Sequence, residues 1–514
     1  MKNILLTATI GLISLTTNAQ QTDSNYFMNP IIHGDIPDPT MIKIDGTYYA
    51  AGTSTEWAPF YPVFKSNDLV NWKQIGHIFD KQPEWTVNSF WAPELFVING
   101  KIYCYYTARE KATNISYIGV VTADSPEGKF TDHGIVVRFG KEAIDPFIFN
   151  DNGKLYITWK AYGLDDRPIE ILGSKLSADG LRLEGEPFTM LVDENRTGIE
   201  GQYIFKKDDY YYLIYAANSC CGYNSDYNVC VARSKKFDSL YENYNGNPIL
   251  HGGEGDYKSC GHGTGVTTDD GRIFFMCHAY LNGDMFFNGR QPILQELEVT
   301  KDKWLKFKTG ELAVRKQSLP FKGISQMPVK DFYDDFDGKS LKYDWTWNFP
   351  FSDVKAELNK GQLYLSGTMK DKSKNGSVLC LRPTSSEYSY ETHTLNKGSN
   401  TKGLTWYGDD NFMISWGINN NNLELRKVVD GKESVIFSSP FNNKDIYLKT
   451  TVEKGSLLKF YYSEDNSKWV CVSDKAIDCK EFIRWDRVPR PGLIHSGNKN
   501  EPSVFSYFRY KLTR

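Results

Sequence analysis

Three carboxylates and a histidine stand at matched places along the chain, and side chains of these types can move protons. Asp38, Asp145, Glu200 and His262 each open a segment built alike: a polar residue, Pro or Gly, an alternating apolar strand, a Gly or Asp turn, then a second aromatic-rich strand. Ala92 opens a fifth segment of the same kind, and the five starts lie 54, 53, 55 and 62 residues apart. Two carboxyls of unlike pKa can divide general-acid and general-base work. A third beside them would raise the acid's pKa by like-charge repulsion. Singly, each acid could equally cap a strand or bond backbone amides. Three at matched positions argue for chemistry, because clustering unpaired charges is costly.

The elements that must position them follow from the turns. Asp45-Gly46, Asn99-Gly100, Asn152-Gly153, Asp208-Asp209 and Asp270-Gly271 separate strands that alternate every second residue. Such dipeptides suit hairpin turns whose central residues need positive φ. Apolar residues at three- and four-residue spacing, as a helix would require, are not the pattern here. A unit of about 50 residues made of antiparallel strands corresponds to one propeller blade. The spacing therefore predicts an all-β chain whose residues 25–300 form a five-bladed β-propeller. The residue opening each innermost strand would then face one axial cavity. Residues 301–330, with Pro320 and Pro328, read as a connector. From residue 331 to 514 longer alternating strands, such as Leu423 to Val429, Tyr447 to Val452 and Leu458 to Tyr462, predict a β-sandwich.

Composition narrows the ligand. The 60 basic and 63 acidic side chains nearly cancel, leaving a formal charge of -3 that supplies no field for nucleic acid or an anionic membrane. A neutral ligand fits better, and the aromatic content of 14% offers rings on which sugars could stack as well as core filling. Residues 1–19 read as an export signal: Lys2, an apolar stretch from Ile4 to Leu15, and small residues before Gln20. No later apolar run is long enough to span a bilayer, so a periplasmic or secreted protein is expected. The nine cysteines are an odd number, and Cys220-Cys221 could be a vicinal bridge or two buried thiols. No Cys-x-x-Cys or His-x-x-His spacing supports a zinc site.

On these residues the chain resembles glycoside hydrolase family 43. The motifs are Gly34-Asp35-Ile36-Pro37-Asp38-Pro39-Thr40, Lys65-Ser66-Asn67-Asp68-Leu69-Val70-Asn71-Trp72 and Trp91-Ala92-Pro93-Glu94, followed by Ile144-Asp145-Pro146 and Gly198-Ile199-Glu200-Gly201. Their order and spacing over residues 28–300 make the resemblance specific. It implies single-step hydrolysis of a glycosidic bond with inversion, in which Asp38 is the general base, Glu200 the general acid, and Asp145 the residue that keeps Glu200 protonated and orients the sugar. Inversion needs the two carboxyls about 6.5 to 9.5 Å apart, leaving room for water. Related five-bladed families that retain configuration carry Arg before the third-blade Asp, where this chain has Ile144.

The resemblance further implies that Arg290 bonds sugar hydroxyls and that His262 sits at the cavity floor, near a water-linked calcium or sodium ion. A buried core histidine is the plainer alternative. No cofactor is expected to be required. Trp57, Trp91 and Trp159 are candidates for the cavity walls. The expected substrate is a plant cell-wall polysaccharide or oligosaccharide bearing a terminal pentose, with the sandwich concanavalin-like. An exo-acting α-L-arabinofuranosidase is the first expectation and a β-xylosidase the second. A non-catalytic carbohydrate-binding propeller is the alternative from another class.

Overall fold

The Asp and Asn residues of the sequence-predicted turns take the left-handed backbone that a tight hairpin needs: φ is 47° at Asp45, 50° at Asn99, 52° at Asn152 and 54° at Asp208. In a computed structural model describing residues 25–513, except 371, 372, 374 and 474, these turns join the inner strands of successive sheets. The export signal read from residues 1–19 lies outside the described residues.

Five antiparallel sheets form the blades of a propeller. The first holds Thr40–Ile44, Thr47–Ala51, Phe60–Ser66 and Lys73–Phe79; the second runs from Thr86–Ile98 outward to Thr131–Val137. The third holds Ala143–Asp151, Lys154–Ala161, Glu170–Lys175 and Phe188–Val192. The fourth starts at Ile199–Lys207, and the fifth runs from Tyr257–Thr267 to Leu305–Phe307. The fifth blade's outer strand thus extends into the stretch read as a connector. Beyond it, Lys316–Ser318 pairs with Tyr26–Met28. Asn29 closes the ring by exchanging two hydrogen bonds with the backbone of Leu294, 265 residues away.

Each innermost strand bends where it reaches the axis. Asp38, Ala92, Asp145, Gly201 and His262 all have positive φ, between 41° and 62°. In blades two to five the ladder register also shifts at this point, as at a β-bulge. This repeated bend corrects one detail of the sequence alignment. The residue equivalent to Asp145 on the fourth blade is Gly201, and Glu200 stands one position earlier, in register with Trp91 and Ile144. Gly201 is required there. A Cβ would lie 2.4 Å from the His262 ring, and φ is +62°.

The C-terminal unit is a sandwich of two antiparallel sheets, one centred on Ser503–Leu512 and Tyr388–Leu395, the other on Arg490–Ser496 and Thr401–Asp409. Trp345, Trp406 and Trp416 fill the core between them. Strands at Asn422–Val429, Asp445–Glu453 and Leu457–Ser463 contain the three expected from alternation. The sandwich is sewn to the propeller by pairing of Trp347–Asn348 with Trp57–Ala58. No helix among the described residues is long and apolar enough to cross a membrane.

Candidate active site

The bends bring Asp38, Asp145 and His262 together at the axis. His262 Nδ1 lies 3.4 Å from Asp38 Oδ1 and 3.7 Å from Asp145 Oδ2. Asp145 Oδ2 also accepts from the Gly201 backbone N–H at 3.1 Å, which ties the third and fourth blades. Glu200 belongs to the same cluster: its charge raises the Asp145 carboxyl, and His262 lowers that of Glu200. Its earlier register leaves its side chain 19% exposed, against 6% for Asp145 and 11% for Asp38.

Asp38 is surrounded by groups that keep it ionised. Thr53 Oγ1 donates to Asp38 Oδ2 at 2.6 Å, and Arg290 Nη1 stands 3.6 Å from Oδ1. Burial works to raise this carboxyl, but the Arg290 guanidinium and then His262 outweigh it, holding Asp38 well below the usual carboxylate range. The Asp38 N–H donates to His278 Nδ1 at 3.0 Å. The same Nδ1 lies 3.2 Å from Asp38 Oδ1, and burial lowers the His278 pKa to about 4, so the ring is neutral. Arg290 is buried rather than a surface ion-pair partner, and its own backbone N–H donates to Asp35 Oδ1 at 3.0 Å.

Glu200 departs from expectation. Repulsion among the three acids was to raise its pKa, yet Lys160 Nζ donates to Oε2 at 2.9 Å and Tyr227 Oη donates to Oε1 at 2.9 Å. Burial pushes upward, but Lys160 first, with His262 and Tyr227, leaves Glu200 below the ordinary value. Asp145 is instead pushed up to about 7, by burial first and then by the Glu200 and Asp38 charges, against the pull of His262 and Lys160.

The aromatic candidates divide. Trp91 is half-buried at the rim, its ring 6.1 Å from Trp485 of the sandwich in an edge arrangement. Trp57 and Trp159 do not line the cavity. Trp57 is buried at the domain junction against Tyr407 and under the Arg490 guanidinium, and Trp159 is fully buried in the third blade beside Phe139. Trp159 sits on a strand that turns it into an apolar layer of the blade, and Trp57 belongs to an apolar cluster with residues of the sandwich.

His262 faces two aspartates and stands in the cluster itself. Among the described residues no group of three or more His, Cys, Asp or Glu side chains is arranged to hold a metal ion.

Several contributors went unseen in the sequence. Lys160 and His278 lie on second strands, and Tyr227 just before a third, whereas the repeat marks only the openings of first strands. From the sandwich, Trp485 is 58% exposed, and the neighbouring Arg487 reaches Glu56 of the propeller at 3.5 Å. Cys220 and Cys221 are joined as a vicinal disulfide; Gly222 follows, and its N–H donates to Tyr280 Oη at 3.2 Å.

A buried carboxylate held ionised, with a second, partly exposed one in the same cluster, is an arrangement that acid-base hydrolysis could use. Comparison with known proteins narrows this. Residues 27–305 match the sequence model of Glycosyl hydrolases family 43, and residues 333–511 match that of the Beta xylosidase C-terminal Concanavalin A-like domain. The chain belongs to glycosyl hydrolase family 43. It is 24% identical to a beta-xylosidase of Bacillus subtilis over 94% of this chain and 99% of that protein. It is 29% identical to a non-reducing end alpha-L-arabinofuranosidase of Bacteroides ovatus over 73% of this chain and 72% of that one. A solved xylan beta-1,4-xylosidase from Bacillus halodurans shares the fold, with a TM-score of 0.82 and 23% identity over 94% of this chain and 100% of that one.

Proposed function

We propose that this glycoside hydrolase removes a terminal pentose from plant-derived oligosaccharide or polysaccharide, acting from the chain end and inverting the anomeric centre. The observation that carries the reading is the unlike environment of Asp38 and Glu200. Asp38, kept ionised by Arg290, takes a proton from a water as that water attacks the anomeric carbon. Glu200, nearer the rim, gives a proton to the departing oxygen. Asp145 orients the sugar, and its carboxyl beside Glu200 works through like-charge repulsion to favour the protonated donor. Arg290 bonds sugar hydroxyls near the base.

Exo action is supported by the rim, where Trp485 and Arg487 from the sandwich meet Trp91 and Glu56 from the propeller. An arabinofuranosidase and a xylosidase both fit this cluster. The end-to-end likeness to a protein named beta-xylosidase, together with the matched C-terminal domain, makes β-xylose the first sugar to try.

The test is release of monosaccharide from xylo- and arabino-oligosaccharides by wild type, Asp38→Asn and Glu200→Gln, with proton NMR of the first-formed anomer. Wild-type turnover with an inverted anomer and loss of activity in both variants is expected. Full activity in either variant, or a retained anomer, would remove these assignments. Binding of sugar without turnover in wild type would favour the non-catalytic propeller.

A further inference from the structure

Lys160 is a buried cation that the acid-base scheme does not use. Its side chain is 12% exposed, on the second strand of the third blade and paired in register with Ile144. Its Nζ lies 2.9 Å from Glu200 Oε2 and 3.5 Å from Glu142 Oε2. Glu142 directly precedes the strand that carries Asp145, and its carbonyl accepts from the Tyr162 N–H at 3.3 Å. The hairpin thus holds Lys160 and Glu142 at one end, beside the rim position of Glu200. One ammonium therefore serves two carboxylates, and one of these is the proposed proton donor.

That arrangement presents a conflict. A carboxylate that accepts from both an ammonium and a phenol is held as the anion, and an anion has no proton to donate. A substrate oxygen approaching Glu200 must compete with Lys160 for the same carboxyl. Glu142, already within ion-pair reach, can hold the ammonium after a small side-chain movement, so that one of its two ion pairs is kept.

We propose that Lys160 is a positioning residue for hydrolysis: its ammonium fixes the Glu200 carboxyl in the empty funnel and, by moving onto Glu142 when a sugar enters, frees that carboxyl to carry the leaving-group proton. This rests on Glu200 being the acid. Glu200 takes the proton from solvent at the open rim and delivers it to the glycosidic oxygen as the bond to the anomeric carbon breaks. Asp38 takes one from the attacking water and returns it to solvent, so the cycle balances as the addition of one water. The charged and titratable groups facing Glu200 are Lys160 and Asp145 of the third blade, Tyr227 of the fourth and His262 of the fifth; Glu142 also pairs with Lys160, and Arg109 stands near Glu142.

The pH dependence of kcat/KM, measured on the full chain, tests the proposal. The substrate is an unactivated disaccharide, β-1,4-xylobiose or α-1,5-arabinobiose, whichever wild type cleaves. Lys160→Met should move the basic limb, which reports loss of the donor's proton, upward by about 1 pH unit or more, since an opposite charge at this range shifts a carboxyl by that amount. Glu142→Gln should move the same limb downward, because Lys160 then has Glu200 as its sole partner. Lys160→Arg keeps the charge and should leave the limb near its wild-type place. With a 2,4-dinitrophenyl glycoside, whose leaving group needs no proton, the limb shifts should disappear.

Limbs that stay put, or that move the same way in Lys160→Met and Glu142→Gln, would overturn the role of Lys160, because a purely structural loss lowers activity without opposed shifts. Should Lys160→Met fail to fold, Glu142→Gln and Lys160→Arg still decide it. Glu200→Gln separates the two readings. If it cleaves the disaccharide as wild type does, the acid assignment itself is wrong; if it is inactive while the limbs stay put, only the role of Lys160 falls.

Discussion

Replacing Arg290 by methionine removes the guanidinium that stands 3.6 Å from Asp38 Oδ1, with both side chains buried. At an effective dielectric constant of about 20, two unit charges at that separation attract by about 4 to 5 kcal/mol, equivalent to about 3 pH units. Water entering the space left behind would screen part of the loss, so a shift of about 1 to 3 units is expected. The sign follows from the role. A base must be ionised to accept a proton, and a carboxyl deprived of its cation holds its proton to higher pH. The acid limb of kcat/KM should therefore move upward in Arg290→Met, whereas Arg290→Lys, which keeps the charge, should leave it close to wild type. Lost sugar contacts would lower kcat/KM at every pH and leave the position of the limb alone, so the two contributions of Arg290 separate in one profile. An acid limb that stays at its wild-type place in Arg290→Met would refute the view that this guanidinium keeps Asp38 ionised.

Three further outcomes follow from burial and exposure. Trp485→Ala removes a ring that is 58% exposed at the rim; KM for oligosaccharide should rise about tenfold, as loss of about 1.4 kcal/mol of ring contact would give, with Tm nearly unchanged. Trp57→Ala should do the reverse, costing about 3 to 5 kcal/mol of stability with little change in KM, as measured by denaturant unfolding alongside kinetics. Glu94, buried and bonded by Thr40 Oγ1 at 2.7 Å, is pushed up to about 8 by desolvation. The folded protein keeps that proton while the unfolded chain releases it near the usual carboxylate value, so this group lowers stability as pH rises from about 4.5 through 8. Glu94→Gln should raise Tm at pH 8.5 by about 2 °C or more and change it little at pH 4.5; an equal change at both would contradict a neutral Glu94.

What the sequence revealed of the site depended on repetition. Asp38, Asp145 and His262 are legible because each marks the bend of a first strand, and five bends at near-constant spacing must meet at one axis. Glu200 was found for a reason one residue out of true. Its neighbour Gly201 takes the bend, because a side chain there would strike His262, and the acid is displaced toward the rim. That displacement places it beside Lys160 and leaves it partly open to solvent, the two conditions on which the proposed proton donation turns. Lys160, His278 and Tyr227 lie outside the periodic positions, and strand alternation alone does not say which blade's second strand turns a polar group inward. The tryptophans show the opposite failure. Composition supplied rings, but Trp57 and Trp159 occupy apolar layers, while the exposed rim ring, Trp485, comes from a domain whose docking no local pattern encodes. Groups that recur with the blade can be read from the chain, whereas groups that tune their charge arise once each, from packing between strands, blades and domains. The bends that gather the cluster are thus a property of the repeat, and the protonation states of its carboxyls a property of the tertiary structure.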